Sequence, residues 1–434
     1  MNELKLFFYA AFTIIFISHS QSHAQSKVGT LTNDGAWCWF SDPRAIYLDG
    51  QVITAWVKSE GTVEAARFGL SDQNVETDEL YFRLERDDHN NPAFVATAAG
   101  KVLAMYTRHT RKDLFINILE DAKGVFNFTD VQFIHPFDGE QLKKFPQASI
   151  TYANPYQLVE EDNRLYCFGR WTGFKPNLMW SDDGGENWTK SKVFITNYPF
   201  ESNNRPYAKY YSDGKSKIHI VFTDGHPRIE PTNSVYYAYL EDGKFHRADG
   251  TIIVDMGHIP FEPKDASIIF RSNEKEGRAW IADMAQDEQG QPVILYTKSP
   301  KETDHRYWYA RYINGEWVNY EICASGKWFP QTPQGQKERE PHYFGGMSLH
   351  PDNPNVVYLS RQVNGIFEIE RWETKDDGQS WEREAITQDS EHDNVRPYVP
   401  RGLSKEDQEV VLWMENEFYI HYTNYQTKIR YWMR

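Results

Sequence analysis

The chain has 434 residues, with 62 acidic against 47 basic side chains and a formal charge of −15. That excess argues against a general nucleic-acid binder, which needs a basic surface, yet a local basic cleft on an acidic body still admits an anionic sugar polymer. A content of 40% hydrophobic and 25% charged residues excludes a disordered chain, and 14 Trp, 26 Tyr and 26 Phe promise a large aromatic core.

The first element in chain order is a processing signal. Lys5 precedes the apolar run Leu6 to Ile17, and a polar stretch ends in Ser22-His23-Ala24. A short apolar core behind a positive charge, closed by small residues, reads as a secretory signal peptide cut after Ala24. A membrane anchor needs about 20 apolar residues, and this run has 12. No cysteine follows the cut, which argues against a lipoprotein. Residues 1–24 are therefore assigned to the signal, and the protein is expected to be secreted or periplasmic. No later segment is apolar enough to span a bilayer.

Cys38, Cys167 and Cys323 are sparse and odd in number, so they make no disulfide framework, although one unassigned disulfide remains allowed. Cys38 lies between Trp37 and Trp39 and Cys167 between Tyr166 and Phe168. Both read as buried strand residues rather than catalytic thiols.

Strands then follow along the whole chain. Stretches rich in β-branched and aromatic residues recur at Ala45–Val57, Val102–Tyr106, Arg164–Arg170, Lys217–Thr223, Pro292–Thr297, Val356–Arg361 and Glu409–Met414. Asp49-Gly50, Asp213-Gly214, Asp242-Gly243 and Asn314-Gly315 read as the hairpin turns between them. Beyond the signal, no amphipathic helical pattern persists for 15 residues. The chain is all-β.

Two copies of one turn signature narrow the architecture. Ser181 to Trp188 and Thr374 to Trp381 both fit S/T-x-D-x-G-x-x-W, the Asp-box of β-propeller hairpins. The Asp caps the turn, the Gly takes a positive φ, and the Trp packs the hairpin onto its blade. A weaker repeat pairs Tyr237-Ala238…Gly243-Lys244-Phe245 with Tyr309-Ala310…Gly315-Glu316-Trp317. The spacing of the boxes places three or four blades between them and fits six to eight blades in all. No linker rich in Pro, Gly or Ser interrupts the chain, so residues 25–434 are expected to form a single-domain β-propeller.

Several segments then carry a likeness to a known family. They are Trp37–Ala45, Asp87–Pro92, Tyr106–His109, Thr151–Pro155, Asn204–Tyr207, Phe222–Arg228, Ala279–Asp283, Gly345-Gly346 and Val357–Arg361. Together they span most of the mature chain. In them the sequence resembles the BNR-repeat propellers that include ulvan lyases of polysaccharide lyase families 24 and 25 and related rhamnose–glucuronate lyases. The resemblance implies seven blades and β-elimination at a uronic acid of an ulvan-like glycan, in a catalytic domain that covers 25–434.

That chemistry makes definite demands. Removing the C5 proton builds charge on the adjacent carboxylate, which must be neutralised. A base takes the proton and an acid protonates the departing C4 oxygen. No cofactor is required in principle. The matching motifs offer His89, beside Asp87 and Asp88, and His109, at the end of a strand 20 residues later. One strand-turn-strand between them brings both imidazoles to the same face. Tyr152 and Tyr207 are the candidate phenolic partners, with Tyr156 a substitute for Tyr152. Alternation in a strand would put Tyr207 and Arg205 on one side. Arg205 and Arg170 are the candidate carboxylate neutralisers, since a guanidinium fork matches a carboxylate. The expected catalytic set is thus His89, His109, Tyr152, Tyr207 and Arg205, with Arg170 and His226 binding substrate. Arg44 reads as a strand lock. Trp171, Trp180, Trp280 and Trp328 are candidate sugar-stacking rings, none with an assigned role.

No His-x-x-x-His or clustered cysteine pair marks zinc. The resemblance allows a structural metal ion, to which Asp224 and His226 would contribute; His258 and His342 are unassigned. Two other readings stay open. One is a glycoside hydrolase on the same scaffold, sialidase- or rhamnosidase-like, although the Arg-Ile-Pro start of sialidases is replaced here by Asp42-Pro43-Arg44-Ala45. The other is a non-catalytic carbohydrate-binding propeller.

Overall fold

The alternating segments fold into seven antiparallel sheets arranged as the blades of a β-propeller. The computed structural model describes residues 26–145, 148–301, 303–326 and 344–434. Blade 1 comprises Ala45–Leu48, Gln51–Val57, Val63–Gly69 and Val75–Tyr81, and blade 2 Ala93–Ala96, Val102–Thr107, Leu114–Leu119 and Gln132–Ile134. Blade 3 runs through Thr151–Leu158, Arg164–Arg170, Pro176–Ser181 and Lys192–Val193. Blade 4 is larger, with Ala208–Ser212, Lys217–Thr223, Val235–Glu241, Lys244–His246, Ile252–Asp255 and Ser267–Phe270. Blade 5 holds Arg278–Gln286, Pro292–Lys301, Asp304–Ile313 and Glu316–Gly326, and blade 6 Met347–His350, Asn353–Val363, Ile366–Glu373 and Glu382–Ala385. Blade 7 combines Asp393–Tyr398, Val410–His421 and Asn424–Met433 with Lys27–Thr32 from the other end of the chain. Lys27 pairs with Met433 and Val28 with Trp432, so the ring closes by hydrogen bonds between its first and last strands.

Five of the seven stretches read as strands lie within one strand; Ala45–Val57 is a hairpin of two, and the strand expected from Glu409 begins at Val410. The hairpin turns behave as their residues require: Asp49, Asp242 and Asn314 hold φ of 46°, 50° and 51°, each followed by a glycine at positive φ. Only Asp213-Gly214 differs, with Gly214 alone at positive φ. The two S/T-x-D-x-G-x-x-W turns join the third and fourth strands of blades 3 and 6. In one, Asp183 Oδ1 accepts from the Asn187 N–H at 2.9 Å and Trp188 Nε1 donates to Gly185 O at 3.0 Å. In the other, Asp376 accepts from Ser380 at 2.8 Å and Trp381 donates to Gly378 at 3.1 Å.

Aromatic rings fill the space between blades. Between blades 3 and 4, Phe168 stacks on Tyr210 at 4.5 Å and Phe194 on Phe245 at 5.4 Å. Each ring so buried contributes roughly 1.5–3 kcal/mol. The axis of the ring is polar instead. Asp42 pairs there with Arg44 at 3.0 Å and Lys209 at 2.6 Å, and Asp283 pairs with Arg401 while accepting from Ser348 Oγ and the Leu349 N–H. Arg44 also donates to Cys38 O at 2.8 Å, so it is the structural lock its sequence context suggests.

Strand direction decides what shares a face. In an antiparallel four-stranded blade, the blade-to-blade connection and the loop between second and third strands emerge together; the other two turns emerge opposite. His89 lies on the connection from blade 1 to blade 2, and His109 on the second loop of blade 2. Cys38 corrects one expectation: it is buried but sits in the non-strand segment between blades 7 and 1, whereas Cys167 is in a strand. All three thiols are free. The signal-peptide assignment, Trp328 and His342 fall outside the described residues. Among the described residues, no helix is long and apolar enough to cross a membrane.

Candidate active site

A cavity of about 640 Å³ opens on the face that carries the blade-to-blade connections. His89, His109, Tyr152, Tyr207, Arg205, Arg170 and His226 all line it. Tyr156 does not: it is core, its hydroxyl donating to Tyr210 O at 2.9 Å.

The run from Asp87 to Asn91 builds one wall, and each residue has a task. Asp87 caps the short turn Asp88–Asn90, accepting from the His89 N–H at 3.0 Å. The same carboxylate receives both imidazoles, His89 Nδ1 at 2.8 Å and His109 Nδ1 at 3.0 Å. Asn90 Oδ1 accepts from the His109 N–H and Asn91 Oδ1 from the Cys38 N–H. Held this way, the two imidazoles stack with centroids 4.0 Å apart and planes at 10°. Tyr422, from the second loop of blade 7, meets both rings edge-on at 4.9 and 5.0 Å. Asp88 lies behind His89, its Oδ1 2.9 Å from Nδ1, and pairs through Oδ2 with Arg396 at 2.7 Å and with the Tyr419 hydroxyl.

These contacts drive the two histidines apart in charge. Burial opposes protonation of both. At His89 the Asp87 and Asp88 carboxylates outweigh it and raise the pKa well above the usual imidazole value. At His109 burial and the neighbouring His89 charge win over Asp87, and the pKa falls to about 4. At neutral pH, His89 is an imidazolium and His109 a neutral ring. With Nδ1 of each on Asp87, Nε2 of His109 is left with its lone pair.

The facing wall is cationic. Arg170, at the end of the second strand of blade 3, donates to the Tyr207 hydroxyl, with its guanidinium carbon 5.3 Å from the Tyr152 ring centre. Tyr152 has φ 70° at a bulge in the innermost strand of blade 3, and its carbonyl receives Trp171 Nε1 at 2.9 Å. Arg205 and Tyr207 precede the strand Ala208–Ser212 rather than lying in it, so the connecting segment, not strand alternation, brings both to the cavity. The Arg205 guanidinium stacks 4.3 Å from the Phe174 ring centre, and no carboxylate among the described residues pairs with it. His226 Nδ1 accepts from the Arg228 N–H at 3.1 Å, so its ring proton sits on Nε2. Burial and three neighbouring arginines push its pKa down to about 3, which keeps it neutral.

Sequence reasoning missed Cys38, Trp39 and Phe40, and also Arg228, Tyr419 and Tyr422, all of which line this cavity. Burial raises the Cys38 thiol pKa, so it holds no thiolate. Of the four tryptophans named from sequence, Trp280 lines the cavity and Trp171 underpins Tyr152. Asp224 and His226, named for an ion, are both engaged in hydrogen bonds of the chain. Asp224 is taken up by the Ser234 N–H at 2.7 Å and the Tyr236 hydroxyl at 2.8 Å. Asp87, His89 and His109 do bring donor atoms within 4.8 Å of one another. Their Nδ1 atoms and both Asp87 oxygens already hydrogen-bond one another, so this trio fits a metal poorly.

Fold and cavity together define a seven-bladed β-propeller with a histidine pair facing an arginine cluster. The family model described as BNR repeat-containing family member matches residues 52–325, and the chain belongs to that family. No curated protein matches its sequence. Among solved structures it is similar to an ulvan lyase of polysaccharide lyase family 25, bound to -[GlcA(1-4)Rha3S]-. The TM-score is 0.67 at 12% identity, over 92% of this chain and 94% of that one. It is also similar to polysaccharide lyase Uly1, with a TM-score of 0.58 at 12% identity over 95% and 99% of the two chains. At that identity the likeness is one of fold.

Proposed function

We propose that this protein is a polysaccharide lyase that cleaves a uronate-containing glycan by β-elimination, an ulvan-like rhamnose–glucuronate polymer being the leading substrate. The observation that carries this reading is the pair of stacked imidazoles on one carboxylate, one cationic and one neutral, sharing the cavity with Arg170 and Arg205. The arginines take the uronate carboxylate and hold down the charge that builds as C5 loses its proton. Neutral His109 is the base, its Nε2 lone pair facing the cavity. The His89 imidazolium is the acid for the departing C4 oxygen, with the Tyr152 and Tyr207 phenols beside it as hydrogen-bond donors to the sugar. None of these steps calls for a cofactor. In the lyase reading Tyr422 and Trp280 close the sugar site as aromatic walls.

A hydrolase would need two carboxyl groups free at the bond. Among the described residues, the carboxylates lining this cavity are Glu85, which pairs with Arg111 at 3.3 Å, and Asp87, which carries both imidazoles. Digestion of uronate polymers discriminates the readings. Elimination creates a 4,5-unsaturated uronate with new ultraviolet absorbance, lost in His109→Ala. Reducing ends without that absorbance would refute elimination, and binding without turnover would leave a carbohydrate-binding propeller. The expected setting, outside the cytoplasmic membrane, follows from the same substrate.

A further inference from the structure

The chain turns sharply just after Arg170, and the turn reaches across to Arg205. Gly173 and Phe174 both have left-handed backbone, φ 70° and 55°. The next residue, Lys175, has no exposed surface, and its ammonium pairs with no carboxylate among the described residues. It donates instead to Glu201 O at 2.8 Å, to Asn204 O, and to Asn204 Oδ1 at 3.2 Å. An ammonium has three N–H bonds, and here each has an acceptor. The Asn204 side chain continues into blade 4, donating to Asp224 O at 2.9 Å and Glu230 Oε1 at 3.1 Å. Arg205 comes next in the chain, and its guanidinium lies on the Phe174 ring at 4.3 Å. Two consecutive side chains of one turn thus hold the backbone before Arg205 and the guanidinium itself.

We propose that Lys175 is a positioning residue for Arg205, an ammonium clamp on the Glu201–Asn204 backbone that fixes the guanidinium against Phe174 as a ready receptor for the substrate carboxylate. The proposal rests on Arg205 being that receptor. A long side chain held in place before binding spends less conformational freedom when the substrate arrives. Lys175 never touches the sugar; it acts through Arg205.

The clamp has a built-in pH response. Burial pushes the Lys175 pKa down to about 8, with Glu201 and Glu230 opposing that shift and Arg205 adding to it. The Phe200 ring is the other neighbour, 5.1 Å from Nζ. A neutral amine has two N–H bonds for three acceptors, so the clamp loosens above that pH. Global stability does not fall with it. The pKa is depressed on folding, so between about 8 and 10.5 the unfolded chain holds more protons and stability rises with pH.

A double-mutant cycle tests the clamp. Lys175→Met is expected to lower kcat/KM on a uronate polymer about tenfold in the native background. In an Arg205→Ala background it should cost less than twofold. Equal losses in both backgrounds, or no loss in the first, would overturn the proposal. Where Lys175→Met does not fold, Phe174→Leu carries the same cycle. If the native protein neither cleaves nor binds any uronate polymer, the lyase reading fails, and a crystal structure of Lys175→Met then decides the clamp separately. A displaced Glu201–Arg205 segment supports it, and an unmoved one overturns it.

Discussion

Tyr152 and Arg396 occupy the same position of the same bulge, in the innermost strands of blades 3 and 7. Each follows the last regular pair before a one-residue register shift, and each has left-handed backbone, φ 70° and 55°. A bulky residue there costs of order 1–3 kcal/mol and persists where the surroundings fix it. One bulge turns a phenol into the cavity. The other sends a guanidinium to Asp88, Trp37 O and Tyr419, behind His89.

Arg396→Met leaves the Asp88 carboxylate buried without its main partner. The expected loss is about 3–5 kcal/mol of stability, read by urea unfolding. Arg396→Lys should keep the fold. Unchanged unfolding of the methionine variant would show that Asp88 needs no such partner.

Gly169 is the hinge of the first bulge. A Cβ there would overlap Trp171 Nε1 and Tyr152 O. Gly169→Ala is expected to destabilise by about 1–3 kcal/mol and to lower turnover further than stability explains, because the overlap falls on the bond that seats Tyr152. Thermal melts and initial rates on one preparation check this; a silent substitution contradicts it.

The histidine pair predicts a pH profile. His109 must be neutral, so activity rises with pH through a value near 4. His89 must be charged, so activity falls again at alkaline pH as the raised imidazolium loses its proton. Asp87→Asn removes the anion that both rings share and should shift the alkaline limb to lower pH, with kcat down about 100-fold. An alkaline limb that stays in place would mean His89 is not the titrating group.

Arg205 can be tested through its ligand. Arg205→Ala is expected to lower kcat/KM about 30-fold on a uronate polymer, in the range of a lost charge-assisted contact, and far less on the carboxyl-methylated polymer. Equal losses on both would detach Arg205 from the carboxylate.

The axial ion cluster sets an acid limit. Burial works against ionising Asp42, but Arg44 and Lys209 overcome it and hold the pKa near 2. Its folded value lies below the unfolded one, so this contribution is present above about pH 4 and is lost as pH falls toward 2. The loss amounts to ~2 kcal/mol. Denaturant unfolding at pH 6 and pH 2 brackets it, and an Asp42→Asn protein should show a pH difference smaller by about that amount.

Much of this was legible before folding. Val, Ile and aromatic alternation marks the strands, and the shared hydrogen bonds of the turns at Asp183 and Asp376 explain why one eight-residue pattern recurs three blades apart. The Asp87–Asn91 run could be read because its contacts are local: Asp87 caps a turn two residues away from His89. Arg396 and Tyr419 could not. They reach Asp88 from more than 300 positions along the chain, and only the closing of the ring brings them near. Arg205 and Tyr207 do share the cavity, but through a tethered connection rather than the strand their spacing suggests. The tryptophan neighbours of Cys38 mimic a strand, yet it lies in coil, where its carbonyl accepts from Arg44.

Blade 7 borrows its outermost strand from residues 27–32 and also supplies Tyr419, Tyr422 and Arg396 to the cavity and its support. A nascent chain still lacking its final hairpin therefore has neither a sealed ring nor a backed His89. Competence arrives all at once, when residues 27–32 pair with 424–433, and a protease that cuts out either segment dismantles the same blade.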